Sequence, residues 1–500
     1  MRRKRRDWMI LKKPGKKNIQ KRKTEITIPQ IRWRELDKNK ILVTNDTGNW
    51  IILKENEFKN YISNKIPKNS DLYKTLEENQ FIRTRLDFDE IYSDYQKLNS
   101  YLFQGPHLHI LVMTLRCNHK CVYCQSQAIG EEGNKTDMNF ITAKKAIDIA
   151  FQSTSPNITI EFQGGEPILN WDVLKKSIEY SRKKEEETGK KLFLSVVSNF
   201  SKMNEEKALF LLKNEVSICT SLDGPENLHN KNRIYSAGNS YEITLKWLKY
   251  FQEKSRSGTY KINGKLCKIF KPSALLTVTR ETLKYPHNVI DEYIKNGLDS
   301  IFIRPLSPIG FAKRVWDKIG YSADEFIDFY EKSLNYIISK NKNGVKIKEK
   351  MVEILLRKIE KREDSGFVDL RCPCGGGIGQ LAYNYDGNIY TCDEGRMVGE
   401  ERDDLFLIGN IKDISYRDIF NSDAVRGCAI SSNLETQPIC FKCAYRPYCG
   451  VCPVINYEAE KTPAGNNITS QRCKIYMGIL DIIFKKLDRE KKYLLNMLEE

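Results

Sequence analysis

The sequence predicts an α/β protein built around a parallel sheet, and three observations lead there. Between about residues 105 and 310, six strand-like runs, HILVMTL, NITIEF, KLFLSVVS, EVSICTSL, PSALLTVT and SIFIRPL, alternate with helical stretches such as ITAKKAIDIAF, DVLKKSIEYSRKKEEE and SYEITLKWLKYFQEK. That alternation is what a parallel βα architecture requires. Ahead of it a short α+β segment stands apart, and behind it comes a tail crowded with cysteines.

In chain order, residues 1–23 hold twelve Lys or Arg against Asp7 alone and read as a basic, disordered tail. They carry +11 of the net charge of +17, leaving +6 for the other 477 residues, so the charge is not a nucleic-acid signature of the folded body. In residues 24–100, KILVTNDTGNWIILK gives two strands around an Asn-Asp-Thr-Gly turn, and EFKNYISNKI and DLYKTLEENQF give two short amphipathic helices. This is a small winged-helix-like module, either a peptide-recognition element or a cap. The βα units occupy 105–310, a helical connector 311–370, the cysteine-rich domain 371–480 and a C-terminal helix 481–500. In the tail, YNYDGNIYTC reads as a hairpin about Asp-Gly, and SYRDIFNSDAV as one spacing helix.

Composition bounds the function class. Five hundred residues exceed one comfortable core. No stretch approaches the roughly 18 consecutive apolar residues of a membrane span, and WMIL is too short for a signal-peptide core. A cytoplasmic location without membrane contact is expected, and there the fourteen cysteines read as metal ligands, since that compartment keeps thiols reduced.

The most specific chemistry lies in LRCNHKCVYC, directly after the first barrel strand. Cys117, Cys121 and Cys124 can hold three irons of a cube and leave the fourth open to a small molecule. Zinc, with His119 as a fourth ligand, is the alternative. About forty residues on, ITIEFQGGEP ends a strand in Gly164, Gly165, Glu166 and Pro167. The two glycines permit close backbone approach, which suits capture of an amino acid's amino group. CxxxCxxC followed by a strand ending in GGEP closely resembles the radical S-adenosylmethionine (SAM) enzymes. The resemblance implies a partial (β/α)6 barrel, a 4Fe–4S cluster on Cys117, Cys121 and Cys124, and bound SAM. It further implies that Tyr123 lies against the adenine, that Ser198 and Asn199 meet the ribose, and that Ser221 and Arg233 hold the carboxylate. Sites at the carboxyl ends of strands are the rule in parallel α/β folds.

The tail reads RCPCGGGIGQLAYNYDGNIYTCDEGR, then CFKCAYRPYCGVCP, then Cys473 in SQRCKIY. It resembles the SPASM domain of peptide-modifying radical SAM enzymes, with two residues between Cys449 and Cys452 where the family usually has three. Carried over, Cys372, Cys374, Cys392 and Cys452 hold one auxiliary 4Fe–4S cluster, and Cys440, Cys443, Cys449 and Cys473 another, for three clusters in all. Cys219, Cys267 and Cys428 are left as packed or free thiols.

Within this resemblance, IFIRPLSPIGFA and CAYRPYCGVCPV are most similar to the maturases of His-Xaa-Ser peptide systems. The implied function is reductive cleavage of SAM to a 5′-deoxyadenosyl radical that modifies a residue of a ribosomally made peptide or protein, with a flavodoxin- or ferredoxin-type reductant. Oxidation of the anaerobic sulfatase-maturase kind is the near alternative; there an aspartate in the position of Asp393 is the catalytic base. A zinc-ribbon RNA-binding protein is the distant one.

Overall fold

The computed structural model describes residues 28–262 and 265–498, so the basic segment 1–23 lies outside the described residues. The chain opens with an antiparallel sheet, β1 (Arg32–Asp37), β2 (Lys40–Thr44) and β3 (Trp50–Lys54), in that order. The expected hairpin is β2–β3. Strand β1, RWRELD, is an addition that its charged residues concealed. Helices α1 (Glu55–Ile62) and α2 (Asp71–Glu78) follow, then α3 (Phe88–Leu98), capped by the Asp87 carboxylate. A core of Ile41, Val43, Leu53, Phe58, Leu76 and Phe81 closes this unit.

The unit is fastened to the tail of the chain. Arg34 makes a bidentate pair with Asp481 at 2.7 Å per contact. Thr44 donates to the Ala444 carbonyl at 2.8 Å, and Tyr448 to the Gly48 carbonyl at 2.9 Å.

The main sheet has nine strands. Six form the predicted parallel series, β4 (Leu108–Val112), β5 (Asn157–Gln163), β6 (Lys191–Val197), β7 (Val216–Ser221), β8 (Ser273–Thr277) and β9 (Ile303–Arg304), neighbours in sequence being neighbours in space. Register runs from Leu108 opposite Thr159 to Val112 opposite Gln163, and from Asn157 opposite Lys191 to Phe162 opposite Val196. Helices α4 (Phe140–Phe151), α5 (Trp171–Thr188), α6 (Glu205–Lys213), α7 (Ser240–Ser255) and α8 (Asn288–Lys295) make the crossovers. Along β5 and β6 burial alternates residue by residue. Ile158, Ile160, Phe162, Leu192, Leu194 and Val196 pack into the core that also holds α4 and α5 side chains. Thr159, Glu161 and Gln163 of β5 and Phe193, Ser195 and Val197 of β6 take the other, half-buried face, which mixes polar and apolar side chains.

The tail does not form a detached lobe. Strand β10 (Gln380–Tyr383) pairs in parallel with β4, Gln380 opposite Leu108, and β11 (Asn388–Tyr390) and β12 (Leu407–Asn410) continue antiparallel. The Asp-Gly hairpin thus extends the barrel sheet from its first strand. The expected spacing helix is two, Tyr416–Asn421 and α9 (Asp423–Ser431), because Ser422 leaves the helix to cap the second by accepting the Val425 N–H. The last helix, α10 (Gln471–Leu495), begins ten residues before the expected 481, which puts Cys473 in its first turn. It packs lengthwise on the connector helix Ala323–Lys342. Among the described residues no helix is long and apolar enough to cross a membrane.

Candidate cofactor site and auxiliary metal centres

The three-cysteine loop leaves β4 at the carboxyl edge of the sheet and is pinned at both ends. Arg116 grips Asp137 through two hydrogen bonds, at 2.8 and 2.6 Å, and the Cys117 N–H donates to the Ile129 carbonyl at 2.9 Å. Farther along, Cys121 lies opposite Arg233 in a short antiparallel ladder, and the Val122 N–H donates to the Asn232 carbonyl. Cys117, Cys121 and Cys124 line a cavity of about 600 Å³ together with Lys120, Phe311 and Arg314. Burial, with the neighbouring thiols, pushes Cys117 up to about 12 and Cys121 up to about 11. Thiolates gather here only when a cation compensates them, as bound iron would.

His119 is not a fourth ligand. Its ring stacks on Tyr235 at 4.6 Å, and its nitrogens are taken by Asn118 Oδ1 (3.2 Å) and Ser240 Oγ (3.0 Å). Among the described residues, no three His, Cys, Asp or Glu side chains converge on one point as a single metal ion demands. The thiols instead ring cavities, the arrangement a cube-shaped cluster fits.

The neighbouring strand ends meet this loop. A Cβ on Gly164 (φ +147°) would stand 2.2 Å from the Thr114 carbonyl oxygen, and one on Gly165 2.2 Å from that of Arg116. The Gly165 and Glu166 N–H groups bond those same carbonyls at 2.7 and 2.8 Å. The glycines are therefore required for the approach of two protein backbones, a different partner from the ligand expected. Glu166 is wholly buried; its carboxylate accepts from Ser198 Oγ, the Asn199 N–H and the Ile168 N–H. Pro167 opens the short helix that follows. Asn199 Nδ2 lies 3.7 Å from Cys117 Sγ and donates to Asn118 Oδ1 at 3.1 Å.

Tyr123 and Arg233 meet in a buried network. The Tyr123 hydroxyl donates to Asp223 at 2.8 Å and accepts from Arg233 Nη1 at 2.8 Å. The Tyr123 ring is thus committed to the interior and is not on the cavity wall, where an adenine platform was expected. Burial raises Asp223 to about 6 despite the facing Arg233. Ser221 ends β7 one residue before Leu222, with its backbone opposite Leu275 of β8.

The tail cysteines fall into two groups. Cys440, Cys443, Cys449 and Cys473 line one cavity of about 480 Å³, and Trp33, Arg34 and Glu35 of β1 complete its wall. Cys374, Cys392 and Cys452 are buried, at 6%, 5% and 4% exposure. Cys372, expected beside them, accepts the Leu434 N–H at 3.3 Å and packs with Leu434, Cys440, Cys449 and Val451. Cys428, set aside as a spare thiol, is buried in the same apolar cluster as Cys392 and Cys452.

Asp393 follows Cys392 as the first residue of the helix Asp393–Gly399. Its Oδ1 accepts from Arg396 Nε (3.1 Å) and Nη2 (2.9 Å), and Arg396 is 1% exposed. Beside it, burial and the charges of Asp369 and Asp393 raise Glu394 to about 7, with Arg304 opposing. Glu161 on β5 is raised by burial and by Asp393 as well. The charge of Asp393 thus reaches both Glu394 of the tail and Glu161 of the barrel strand.

Comparison with known proteins decides the class. Residues 111–264 match the radical SAM superfamily, and residues 374–453 match SPASM, an iron–sulfur cluster-binding domain. The chain carries a radical SAM domain followed by a SPASM domain. It is 23% identical over 386 residues to a cysteine-type anaerobic sulfatase-maturating enzyme of Clostridium perfringens (strain 13 / Type A), covering 74% of this chain and 94% of that protein. A radical SAM cyclopropyl synthase, TigE, of Paramaledivibacter caminithermalis is 23% identical over 299 residues, 56% of each chain. Among solved structures, anSMEcpe with bound AdoMet superposes at a TM-score of 0.61 and 20% identity, covering 79% of this chain and 98% of that one. Streptococcus suis SuiB bound to its precursor peptide SuiA superposes at 0.51 and 16% identity, over 88% and 98%. A radical SAM domain implies a 4Fe–4S cluster and SAM, and a SPASM domain implies further clusters.

Sequence reasoning missed Asp223 as the partner of Tyr123, Glu161 as a mouth residue, Arg396 as the partner of Asp393, and the wall residues Phe311 and Arg314. Arg396 carried only a weak signal, its three-residue spacing from Asp393.

Proposed function

We propose that this enzyme is a peptide maturase. Cys117, Cys121 and Cys124 hold the SAM-binding cluster; the GGEP turn, Ser198, Asn199, Ser221, Tyr123 and Arg233 shape and position the SAM pocket. When bound, the cluster and SAM supply a 5′-deoxyadenosyl radical on one-electron reduction, the electron coming from a flavodoxin- or ferredoxin-type donor. The chain itself binds, orients and shields the substrate residue over the inner face of the barrel. The observation that carries this reading is the cavity lined by three half-buried thiols at the carboxyl edge of the parallel strands of the main sheet. Two auxiliary clusters in 371–480 bring the count to three, and residues 24–100 receive the leader of the peptide. The motifs IFIRPLSPIGFA and CAYRPYCGVCPV favour the His-Xaa-Ser subgroup.

A second reading, oxidation of a protein cysteine or serine side chain in the manner of sulfatase maturation, is favoured by Asp393 directly after Cys392. Both readings are tested by incubating the reconstituted enzyme with SAM, a reductant and candidate peptides, one a short precursor peptide and one a sulfatase-type cysteine or serine peptide, deuterated at candidate residues. A peptide maturase transfers deuterium into 5′-deoxyadenosine and changes the peptide mass. Deoxyadenosine formed without deuterium, with the peptide unchanged, excludes that peptide class as substrate.

A further inference from the structure

We infer that Cys428, and not Cys372, is the fourth thiolate of the auxiliary centre that Cys374, Cys392 and Cys452 surround. This rests on the reading of the tail as a cluster-binding domain. In the structure Cys392, Cys428 and Cys452 share one buried apolar cluster with Ile309, Met397, Val398, Phe406 and Val454. Cys428 is 4% exposed, as buried as the two accepted partners.

Two independent ties bring Cys374 to the same place. Ser432, just past the end of α9, accepts the Cys374 N–H at 2.8 Å and donates to the Cys428 carbonyl at 2.6 Å, so one hydroxyl bridges the two cysteines' backbones. The turn after Cys374 also lies against α9 so closely that a Cβ on Gly377 would stand 2.5 Å from Val425, one turn before Cys428. On the other side, Cys428 Sγ lies 3.9 Å from Thr391 Oγ1, the residue before Cys392.

Cys372 has different company. Its sulfur takes the Leu434 N–H, and its neighbours are Cys440 and Cys449 of the other group, which already numbers four. The family resemblance makes Cys372 the expected ligand, while Cys428 stands alone in a helix 36 residues after Cys392. Folding, not spacing, supplies the fourth thiol. Each thiol loses its proton to solvent as it ligates iron, which a fully buried apolar thiol does only against a metal.

The test is iron and sulfide content, with EPR of the reduced and oxidised protein, for the full chain reconstituted without oxygen. Wild type should hold about twelve irons, four for each of three clusters. Cys428→Ser should fall by about a third, or lose a single iron and show the oxidised three-iron signal, while the SAM-site signal persists. Cys372→Ala should keep all its iron. A Cys372→Ala protein that loses a third of its iron overturns the assignment even if Cys428→Ser fails to fold, and so does a Cys428→Ser protein with a full complement and unchanged spectra. Wild-type protein without iron defeats the cluster reading itself, a separate result.

Discussion

Ser198 donates its hydroxyl to Glu166 Oε1 at 2.8 Å, which joins the ends of two adjacent barrel strands beneath the cysteine loop. The other oxygen of Glu166 takes the Asn199 N–H at 2.7 Å. The acidic residue of GGEP therefore sets the position of the two residues expected at the ribose. Glu166→Gln keeps the shape but loses an acceptor, leaving buried donors poorly matched. It should cost roughly 1–3 kcal/mol in urea unfolding of the metal-free chain and weaken SAM binding several-fold by equilibrium dialysis. Unchanged stability and affinity would remove Glu166 from this role.

Asp393 leads to a second expectation. Its carboxylate is held by buried Arg396, and its charge acts on Glu161 and Glu394. Asp393→Asn keeps the size and loses the basicity, so iron content and deoxyadenosine formation should stay near normal while modified peptide falls by at least ten-fold, a general-base contribution. Product at the wild-type rate would leave Asp393 a helix-opening residue only.

A third concerns the N-terminal unit. Removing residues 24–100 outright would strip Trp33, Arg34 and Glu35 from the wall around Cys440, Cys443, Cys449 and Cys473, so truncation is a poor test of peptide binding. Strand β3 is an edge strand, and a groove of about 450 Å³ runs beside it between Trp50–Ile52 and Thr75, Asn79, Arg362 and Lys491. An added peptide strand would occupy that groove. Thr75→Tyr with Asn79→Tyr should fill it, lowering peptide affinity by ten-fold or more in calorimetry and sparing SAM cleavage. Undiminished affinity would make the unit a cap.

A fourth concerns pH. His109 is wholly buried on β4, its nitrogens 3.0 Å from the Tyr383 hydroxyl and 3.1 Å from the Pro106 carbonyl, and burial lowers its pKa to about 3. An unfolded histidine titrates near about 6.5. Between those values only the unfolded chain takes up the proton, so the stability present above pH 6.5 is lost as pH falls, by up to about 1.4 kcal/mol per unit. Melting of the metal-free chain should drop between about pH 7.5 and 5.5, and His109→Phe should flatten the drop. Parallel profiles would contradict this.

The strands and crossovers were legible because each alternates apolar residues with a period the chain declares locally, as in NITIEF and KLFLSVV. The Cys117–Cys124 loop and GGEP were legible because their spacing is itself the chemistry. What stayed hidden depends on long-range contact. Nothing near Cys428 signals that α9 carries it to Cys392, nothing in RWRELD signals a third strand, and the Tyr123–Asp223 bond spans a hundred residues. Cys372, which the resemblance groups with Cys374, accepts the Leu434 N–H and packs beside Cys440 and Cys449, contacts that local sequence does not announce.

The central claim is most directly tested by 5′-deoxyadenosine formation from SAM and a strong reductant, under anaerobic conditions, with the reconstituted enzyme and with a variant carrying Cys117→Ala, Cys121→Ala and Cys124→Ala. The account predicts turnover by the wild type and none by the variant, which should still retain about two-thirds of its iron in the auxiliary centres. Equal deoxyadenosine from both proteins, or a wild type that binds stoichiometric zinc and cleaves no SAM, would contradict it.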